Sequence, residues 1–360
     1  MQEDQADRVT SRPASTATQP PWLKDVLSLS SVPAEGETIV VRGLQMVMRG
    51  GILRSESVVS EAQGQTEKTF GFKWQQRETF ERDGLLANVR AWLIERYGDI
   101  AKAEWMKDYG DHPLILDAGC GAAMSALELF GNELSRARYL GIDISTAVDV
   151  AAARFTEHGL GGGFLQANIS QLPLAPKSVD IIFSEGVLHH TDSTEKAFFA
   201  LAELLKQGGR FLFYVYRKKG PLREFTDDYI RDRIQAMTPE DAWKAVMPLT
   251  ELGKVLGELN IEINVPQTIE LLEITAGKIN LQRFFYWHVC KAFYRPDMTI
   301  EEMNHINFDW FAPRNAHRHT PEEVREWCVK AELLIEREVI EESGITVVAR
   351  RESSTSLPQE

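Results

Sequence analysis

The stretch Leu-Asp-Ala-Gly-Cys-Gly-Ala-Ala-Met at residues 116–124 decides the fold. It has the pattern of a strand end, a tight turn carrying Gly119 and Gly121, and a helix start. Glycine lets the main chain turn tightly and lets a ligand approach it, and a helix N-terminus offers free N–H groups to polar ligand atoms. The stretch Leu-Gly-Ile-Asp-Ile-Ser at 140–145 ends a second strand in Asp143. A carboxylate there suits two ribose hydroxyls, so the two segments together predict a nucleoside pocket.

Strands and helices alternate on both sides of this turn. The predicted strands are 114–117, 138–143, 163–166, 179–184 and 209–216, and the predicted helices are 122–131, 145–158 and 194–206. Repeated strand–helix units of this length indicate a parallel sheet with helices on both faces. A capping-box pattern at Thr320 then predicts a helix to about Leu333, and strands at 335–340 and 345–349 form a hairpin.

We therefore predict an α/β fold with a doubly wound, Rossmann-like, mostly parallel seven-stranded sheet. An antiparallel hairpin closes the sheet at its C-terminal end, and a helical insertion follows the fifth strand. The predicted organisation is a disordered N-terminal tail (1–35), a small N-terminal β piece and helix (36–105), a nucleoside-binding core (106–217), a helical lid or substrate insertion (218–319), and a C-terminal helix and β-hairpin that complete the core (320–351).

Composition narrows the class of protein. The chain has 360 residues and a net charge of -13, which disfavours a nucleic-acid partner held by clustered Lys and Arg. The cysteines Cys120, Cys290 and Cys328 are widely spaced, so neither a zinc ribbon nor a disulfide framework is expected, and we predict no metal. No apolar run is long enough for a membrane span, and no secretory signal pattern begins the chain. A cytoplasmic location is the expectation from these patterns.

Two kinds of cofactor compete for the first turn. Dinucleotide turns usually carry a third glycine, because the pyrophosphate must approach the helix end. Here Met124 takes that place, and Asp117 precedes the first glycine, where it would repel a pyrophosphate. A carboxylate in that place can instead reach the ammonium group of a methionine tail. This favours S-adenosylmethionine over a nicotinamide dinucleotide.

The motifs resemble those of the class I S-adenosylmethionine-dependent methyltransferases. They are Asp117–Gly121, Gly141–Asp143, Leu172-Pro173, Asp180 and Leu204–Arg210, and the match covers about residues 112–217 and resumes at 320–350. The resemblance implies that S-adenosylmethionine is the cofactor. One departure from the family pattern is Ala123, where the third alternating glycine is frequent.

The resemblance also implies which residues hold the cofactor. The turn is expected to line the methionine moiety, Asp143 to hold the ribose, and Asn168 and Ile169 to lie beside the adenine. The full set of expected cofactor-binding residues is Asp117, Ala118, Gly119, Cys120, Gly121, Asp143, Ile144, Asn168, Ile169, Ser184 and Glu185.

A narrower resemblance lies upstream. The segment Phe70-Gly-Phe-Lys-Trp-Gln-Gln-Arg77, preceded by a short β piece at 38–54, looks like the start of a bacterial methyltransferase subgroup that carries a Trm112-like piece before a Phe-Gly-x-x-Trp motif. The zinc-binding cysteines of some such pieces are missing here. Trp74 and Arg77 either close over the methionine end of the cofactor or are structural.

Two histidine-containing segments are candidates for the chemistry. His189 and His190 follow the fourth strand, where imidazole can act as a general base, or only pack over the cofactor. The polar segment 305–319 is predicted to be a loop over the same sheet edge, with Asp309 and His317 binding or deprotonating the acceptor. The alternative for that loop is an anchored surface connector.

The sequence thus predicts an enzyme that moves the methyl group of S-adenosylmethionine to an oxygen or nitrogen of a small metabolite or biosynthetic intermediate. A small-molecule acceptor is the expected partner. Methylation of RNA or protein stays open as an alternative. A nicotinamide-dependent oxidoreductase and a cofactor-binding protein without catalysis are the alternatives from other classes.

Overall fold

The computed structural model describes residues 19–56 and 59–352. The helices are α1 (Leu23–Val26), α2 (Glu61–Gln75), α3 (Asp83–Tyr97), α4 (Met124–Phe130), α5 (Ala147–Glu157), α6 (Thr194–Leu204), α7 (Pro221–Ile234), α8 (Pro239–Leu259), α9 (Leu281–His288), α10 (Ile300–Phe311) and α11 (Pro321–Lys330). The strands are β1 (Thr38–Val41), β2 (Leu44–Arg49), β3 (Ile52–Ser55), β4 (Leu114–Ala118), β5 (Arg138–Asp143), β6 (Gly163–Gln166), β7 (Val179–Ser184), β8 (Leu205–Tyr216), β9 (Glu262–Val265), β10 (Gly277–Asn280), β11 (Leu333–Ile340) and β12 (Gly344–Arg351).

The main sheet contains the predicted α/β core. Its strand order is β1-β2-β3-β6-β5-β4-β7-β8-β12-β11. Strands β4 to β8 run parallel, and β12 lies antiparallel between β8 and β11. The predicted mostly parallel arrangement and the C-terminal hairpin are therefore confirmed. The predicted strand number is wrong, because the sheet has ten strands rather than seven.

The three additional strands come from the N-terminal segment. β1, β2 and β3 form an antiparallel meander, and β3 pairs in parallel with β6 through Leu53 and Leu165. The side chains of Met46, Met48 and Leu53 are buried in the same apolar core as the central strands. This burial explains why the piece extends the sheet instead of forming a separate hairpin.

The predicted disordered tail is wrong from residue 19 onward. Helix α1 packs Leu23, and the residue after it, Leu27, into the core of the sheet, each about 1% exposed. Gln19 donates a hydrogen bond to the carbonyl of Phe164 in β6. Residues 1–18 of the predicted tail lie outside the described residues.

The insertion after β8 is mostly helical, as expected, but it also contains the antiparallel hairpin β9–β10. The predicted loop at 305–319 is wrong over its first half, because helix α10 continues to Phe311. A capping box at Thr299 and Glu302 starts that helix. Asp309 is therefore held on a helix rather than on a connector.

In the parts of the chain that the structure covers, no helix has the length and apolarity to cross a bilayer.

The strand order places a ligand-binding crevice beside β4. The chain moves outward from β4 through β5 and β6, and returns to the other side of β4 with β7 and β8. In open parallel sheets, ligands bind at the carboxyl ends of the strands where the order reverses. The turn after β4, the end of β5 and the segment after β7 all meet at this edge.

Candidate active site

A cavity of about 510 Å³ opens at the carboxyl ends of the core strands. The core supplies one wall, helices α2 and α3 supply a second, and the insertion after β8 supplies a third. The residues contributed by α2 are Gln63, Thr66, Phe70, Lys73 and Trp74, which share one helix face. The insertion contributes Tyr286, Lys291, Phe293, Arg295, Met298, His305, Ile306 and Asp309.

Six of the expected cofactor-binding residues line this cavity. They are Gly119, Asp143, Ile144, Asn168, Ile169 and Glu185. The other five, which are Asp117, Ala118, Cys120, Gly121 and Ser184, lie directly behind that wall. The carboxylate of Asp117 accepts a hydrogen bond from Tyr139 Oη at 2.6 Å, and its burial raises its pKa to about 7. The structure therefore brings the turn and the two following strand ends together, but it points Asp117 toward the protein interior.

The carboxylate of Asp143 is fixed by main-chain donors. Its Oδ2 accepts the N–H of Gly121 at 2.8 Å, and its Oδ1 accepts the N–H and hydroxyl of Ser145 at 2.8 and 2.7 Å. Burial raises the pKa of Asp143, and these hydrogen bonds act against that effect. The side chain thus lies in the cavity wall in a set orientation, as recognition of a ribose diol requires.

The two glycines of the turn are held against large side chains. A Cβ atom on Gly119 would lie 2.2 Å from Val187 Cγ1, and one on Gly121 would lie 2.8 Å from the ring of Trp74. Both glycines also have positive φ. Trp74 therefore covers the turn, and this contact fits both of the roles that the sequence left open for it.

These features fit S-adenosylmethionine. The main chain of the turn at Gly119 lines the cavity, where a ligand can approach it. A fixed carboxylate at Asp143 can accept ribose hydroxyls, and Ile144 and Ile169 provide apolar surface for a base beside Asn168. The aromatic rings of Phe70, Trp74 and other wall residues suit a sulfonium cation.

A network of charged and polar side chains also lines the cavity. Lys73 Nζ lies 2.5 Å from Asp309 Oδ1, and Tyr216 Oη donates to Asp309 Oδ2 at 2.9 Å. Burial alone would raise the pKa of Asp309, but Lys73 and neighbouring cations hold that pKa well below its usual range. Asp309 is therefore ionised and already has two partners, so it is suited to positioning rather than to accepting a proton.

His190 lines the cavity, and one of its ring nitrogens has no hydrogen-bond partner among the described residues. Its Nδ1 lies 2.6 Å from the carbonyl oxygen of Asn315. A carbonyl only accepts, so Nδ1 carries the proton and Nε2 carries the lone pair. Nε2 is buried and has no hydrogen-bond partner within residues 19–56 and 59–352. Burial lowers the pKa of His190 to about 4, which keeps the imidazole neutral.

The other two candidate histidines lie outside the cavity wall. His189 stacks on the ring of Tyr216 with centroids 3.6 Å apart, and its Nδ1 accepts the Tyr216 N–H at 3.3 Å. His317 donates from Nε2 to the carbonyl of Thr191 at 3.0 Å and lines a separate surface cleft. The structure thus places His190 and Asp309 in one cavity and separates His317 from both.

Three charged wall residues were missed by sequence reasoning. Lys73 lies within the Phe-Gly-x-x-Trp segment, and its position on the same helix face as Phe70 and Trp74 was an available signal. Lys291 lies inside the aromatic run 284–294, which resembles an ordinary helical core. Arg96 lies in the last turn of α3 and pairs with Glu185 at 3.3 Å.

For the described part of the chain, no group of three or more His, Cys, Asp or Glu side chains is arranged to hold a metal ion.

Comparison with known proteins gives a domain match and several partial relatives. Residues 116–213 match the family model described as a methyltransferase domain. An uncharacterized methyltransferase of Bacillus subtilis, YcgJ, is 32% identical over 146 residues, which are 39% of this chain and 56% of that protein. A tRNA U34 carboxymethyltransferase of Tolumonas auensis is 29% identical over 158 residues, which are 38% of this chain and 46% of that protein.

One solved structure extends over more of the chain. It is the Burkholderia thailandensis 1,6-didemethyltoxoflavin-N1-methyltransferase with its substrate and S-adenosylhomocysteine, at 12% identity and a TM-score of 0.42, covering 89% of this chain and all of that one. The chain spans between 26% and 56% of the length of the curated relatives it matches. Residues 116–213 thus match a methyltransferase domain, and the cofactor that this match indicates is S-adenosylmethionine.

Proposed function

We propose that the protein transfers the methyl group of S-adenosylmethionine to an oxygen or nitrogen atom of a small metabolite or biosynthetic intermediate. The observation that carries the proposal is one cavity with two different halves. Gly119 and Asp143, which we assign to the donor half, line the same cavity as His190 and Asp309, which we assign to the acceptor half. A methyl donor bound at the first half would face the polar groups of the second.

The walls of the cavity favour a small acceptor over RNA or protein. Its volume of about 510 Å³ lies in the usual range for small-molecule sites, roughly 300–1,000 Å³. Helix α2 and the insertion cover the carboxyl edge of the sheet, so a folded macromolecule would need to displace one of them. The net charge of -13 also disfavours a polyanionic acceptor.

In this proposal the chain positions the reactants and excludes water. S-adenosylmethionine supplies a methyl carbon on a positively charged sulfur, which keeps the bonding electron pair when an in-line acceptor atom takes the carbon. Asp143 holds the ribose, and Lys73, Asp309 and Tyr216 form a rigid polar surface for the acceptor. Most of the rate enhancement would come from proximity and orientation.

His190 is the side chain best placed to take the proton that the acceptor loses. Its Nε2 lone pair is free and its orientation is fixed through Asn315. A low pKa does not prevent this role, because a newly methylated O–H or N–H group carries positive charge and is strongly acidic. A weak, correctly placed base is therefore sufficient for the final proton transfer.

Other predictions from the sequence accompany this proposal. The likeness of residues 36–77 to a methyltransferase subgroup with a Trm112-like piece stays a prediction, as does a cytoplasmic location. The domain match gives no support to the nicotinamide-dependent alternative. The unpartnered nitrogen of His190, a residue of the cavity wall, favours catalysis over cofactor storage.

The proposal is tested by following the methyl group. The protein is incubated with S-adenosylmethionine labelled on the methyl group and with an extract of its source organism, divided by ultrafiltration into small-molecule and macromolecular fractions. We expect label in a small-molecule product, with one equivalent of S-adenosylhomocysteine formed. Label transferred only to RNA or protein would reject the small acceptor, and binding without any transfer would reject catalysis.

Exchange of single histidines tests the role of His190. His190→Gln is expected to lower turnover about 100-fold, because it removes the proton acceptor, while affinity for S-adenosylmethionine is kept. The matched control is His317→Gln, since His317 lies outside the cavity and glutamine can still donate to the Thr191 carbonyl. Turnover is measured as S-adenosylhomocysteine formation with the active small-molecule fraction. Equal turnover in both variants would contradict the assignment.

A further inference from the structure

Among the described residues, each cationic side chain of the cavity wall except one is paired with a carboxylate. Lys73 pairs with Asp309, Arg96 with Glu185, and Arg295 with Asp297. Lys291 also lines the cavity and is only 7% exposed. Among the residues the structure describes, no carboxylate lies within 4.0 Å of its Nζ atom, and no hydrogen bond to that atom is found.

The main chain at Lys291 is anchored, so the side chain is not simply mobile. The N–H of Lys291 donates to Asp227 Oδ1 at 3.2 Å. The other oxygen of Asp227 accepts from Arg223 Nε at 2.5 Å and from Trp310 Nε1 at 2.7 Å. Lys291 Nζ lies 5.0 Å from the centre of the Trp310 ring. A buried ion pair and an indole thus fix the point from which the side chain enters the cavity.

The surroundings of Trp310 carry an excess of positive charge. Four cationic side chains lie within 5.5 Å of its ring centre, and they are Lys219, Arg223, Arg231 and Lys291. The nearby carboxylates are Asp227 and Asp228, which pair with Arg223 and Arg231, and Glu224, which pairs with Arg318. Asp309 is neutralised by Lys73. The Lys291 end of the cavity is therefore electropositive.

Burying the charged ammonium group of Lys291 costs free energy when no anion or hydrogen-bond acceptor compensates for the lost hydration. Burial lowers the pKa of Lys291 to about 7; Arg223 and Arg231 act in the same direction, while Asp309 and Asp227 oppose them. A bound anion would restore the charged form. A buried, unpaired lysine that faces a cavity is thus prepared for an anionic ligand.

We propose that Lys291 binds an anionic group, a carboxylate or a phosphate, on the methyl acceptor, which is therefore a small organic acid. The inference rests on the proposed function and names its substrate class. Lys291 acts as a binding and specificity residue, while His190 and Asp309 face the reacting atom. A planar or apolar body between the two ends would contact Tyr286 and Phe293.

Fractionating the acceptor by ion exchange tests directly whether it carries a negative charge. The active small-molecule extract is passed over an anion exchanger at neutral pH, and each fraction is assayed for methyl transfer from labelled S-adenosylmethionine. We expect acceptor activity in the retained fraction. Phosphatase treatment of that fraction lowers its acceptor activity if the group is a phosphate, because the contact with Lys291 is lost, and leaves the activity unchanged if the group is a carboxylate. Acceptor activity in the flow-through of the untreated extract would overturn the inference while leaving the proposed function intact.

Variants of Lys291 separate substrate binding from chemistry. Lys291→Met is expected to raise the KM for the retained fraction at least tenfold, to change kcat little, and to leave S-adenosylmethionine affinity unchanged. Lys291→Arg should recover part of the lost affinity, because the charge is kept. Lys278→Met, an exposed lysine of the insertion, is the matched control and should behave as wild type. A fall in kcat at unchanged KM would overturn the binding role. Absence of transfer to any small molecule would reject the proposed function itself.

Discussion

Replacing Asp143 with alanine is expected to abolish useful binding of S-adenosylmethionine. The carboxylate is buried at the end of β5 and is held by the N–H groups of Gly121 and Ser145. A hydrogen bond to a charged group contributes about 1.5–3 kcal/mol, so loss of two bonds to the ribose corresponds to a decrease in affinity of about 100-fold or more. The change also leaves the Gly121 N–H without its acceptor, which loosens the turn.

Calorimetric titration of the variant with S-adenosylmethionine measures this effect. Asp149→Ala is the matched control, because Asp149 is a half-exposed carboxylate on α5 whose ion pair with Arg54 lies at the surface, where such pairs contribute little. Asp143→Asn keeps the shape and should retain an intermediate affinity. Thermal unfolding without ligand shows whether each variant is folded. A folded Asp143→Ala protein that binds with wild-type affinity would refute the ribose assignment.

The core of the fold was predictable because its signals are local. The β6 and β7 strands were placed with the bounds that the structure shows, at 163–166 and 179–184. Each is a short apolar run between polar or glycine-containing turns, and the right-handed crossover rule then leaves few arrangements. The glycines of the turn after β4 gave the position of the pocket for the same reason, since their need for positive φ is visible in the sequence.

The remaining features depend on contacts between distant segments. β3 joins β6 through residues more than one hundred positions apart, and the pattern at 52–55 does not name its partner. Lys73 meets Asp309 across 236 positions. A lysine beside an aromatic residue on a helix has the same local pattern whether it faces solvent or a cavity. The pairing of Lys73 with Asp309 and the burial of Lys291 were therefore not predictable, although the glycine turn after β4 was.

The donor half and the acceptor half of the cavity come from different segments of the chain, and these segments are held in place by different contacts. The donor half belongs to the sheet, whose strands are fixed by an extensive apolar core. The acceptor half depends on how α9 and α10 dock, and the Asp227 side chain on α7 links both through Lys291 and Trp310. Acceptor binding should therefore be more sensitive than cofactor binding to changes in the insertion.

The substitution Asp227→Ala is the strongest test of whether Asp227 links the insertion to acceptor binding. Arg223 and Asp227 are each about 1% exposed and form a buried ion pair with Nε and Oδ2 2.5 Å apart. Removing one partner of such a pair costs about 3–5 kcal/mol, because the other charge stays buried without compensation. We expect a loss of this size in the free energy of unfolding measured with urea, together with loss of methyl transfer under conditions where the protein is still folded.

Two further variants distinguish the effect of the buried charge from the role of Asp227 in anchoring Lys291. Asp232→Ala removes an exposed carboxylate from the same helix and should leave stability and activity near wild type. The double change Arg223→Met with Asp227→Leu removes both charges at similar volume and should recover part of the stability, because the buried N–H groups of Trp310 and Lys291 still lack their acceptor. It should not restore acceptor binding, since the N–H of Lys291 still lacks the carboxylate that anchors it. Recovery of both properties would mean that Asp227 acts only through the buried charge, and that the anchoring of Lys291 does not depend on it.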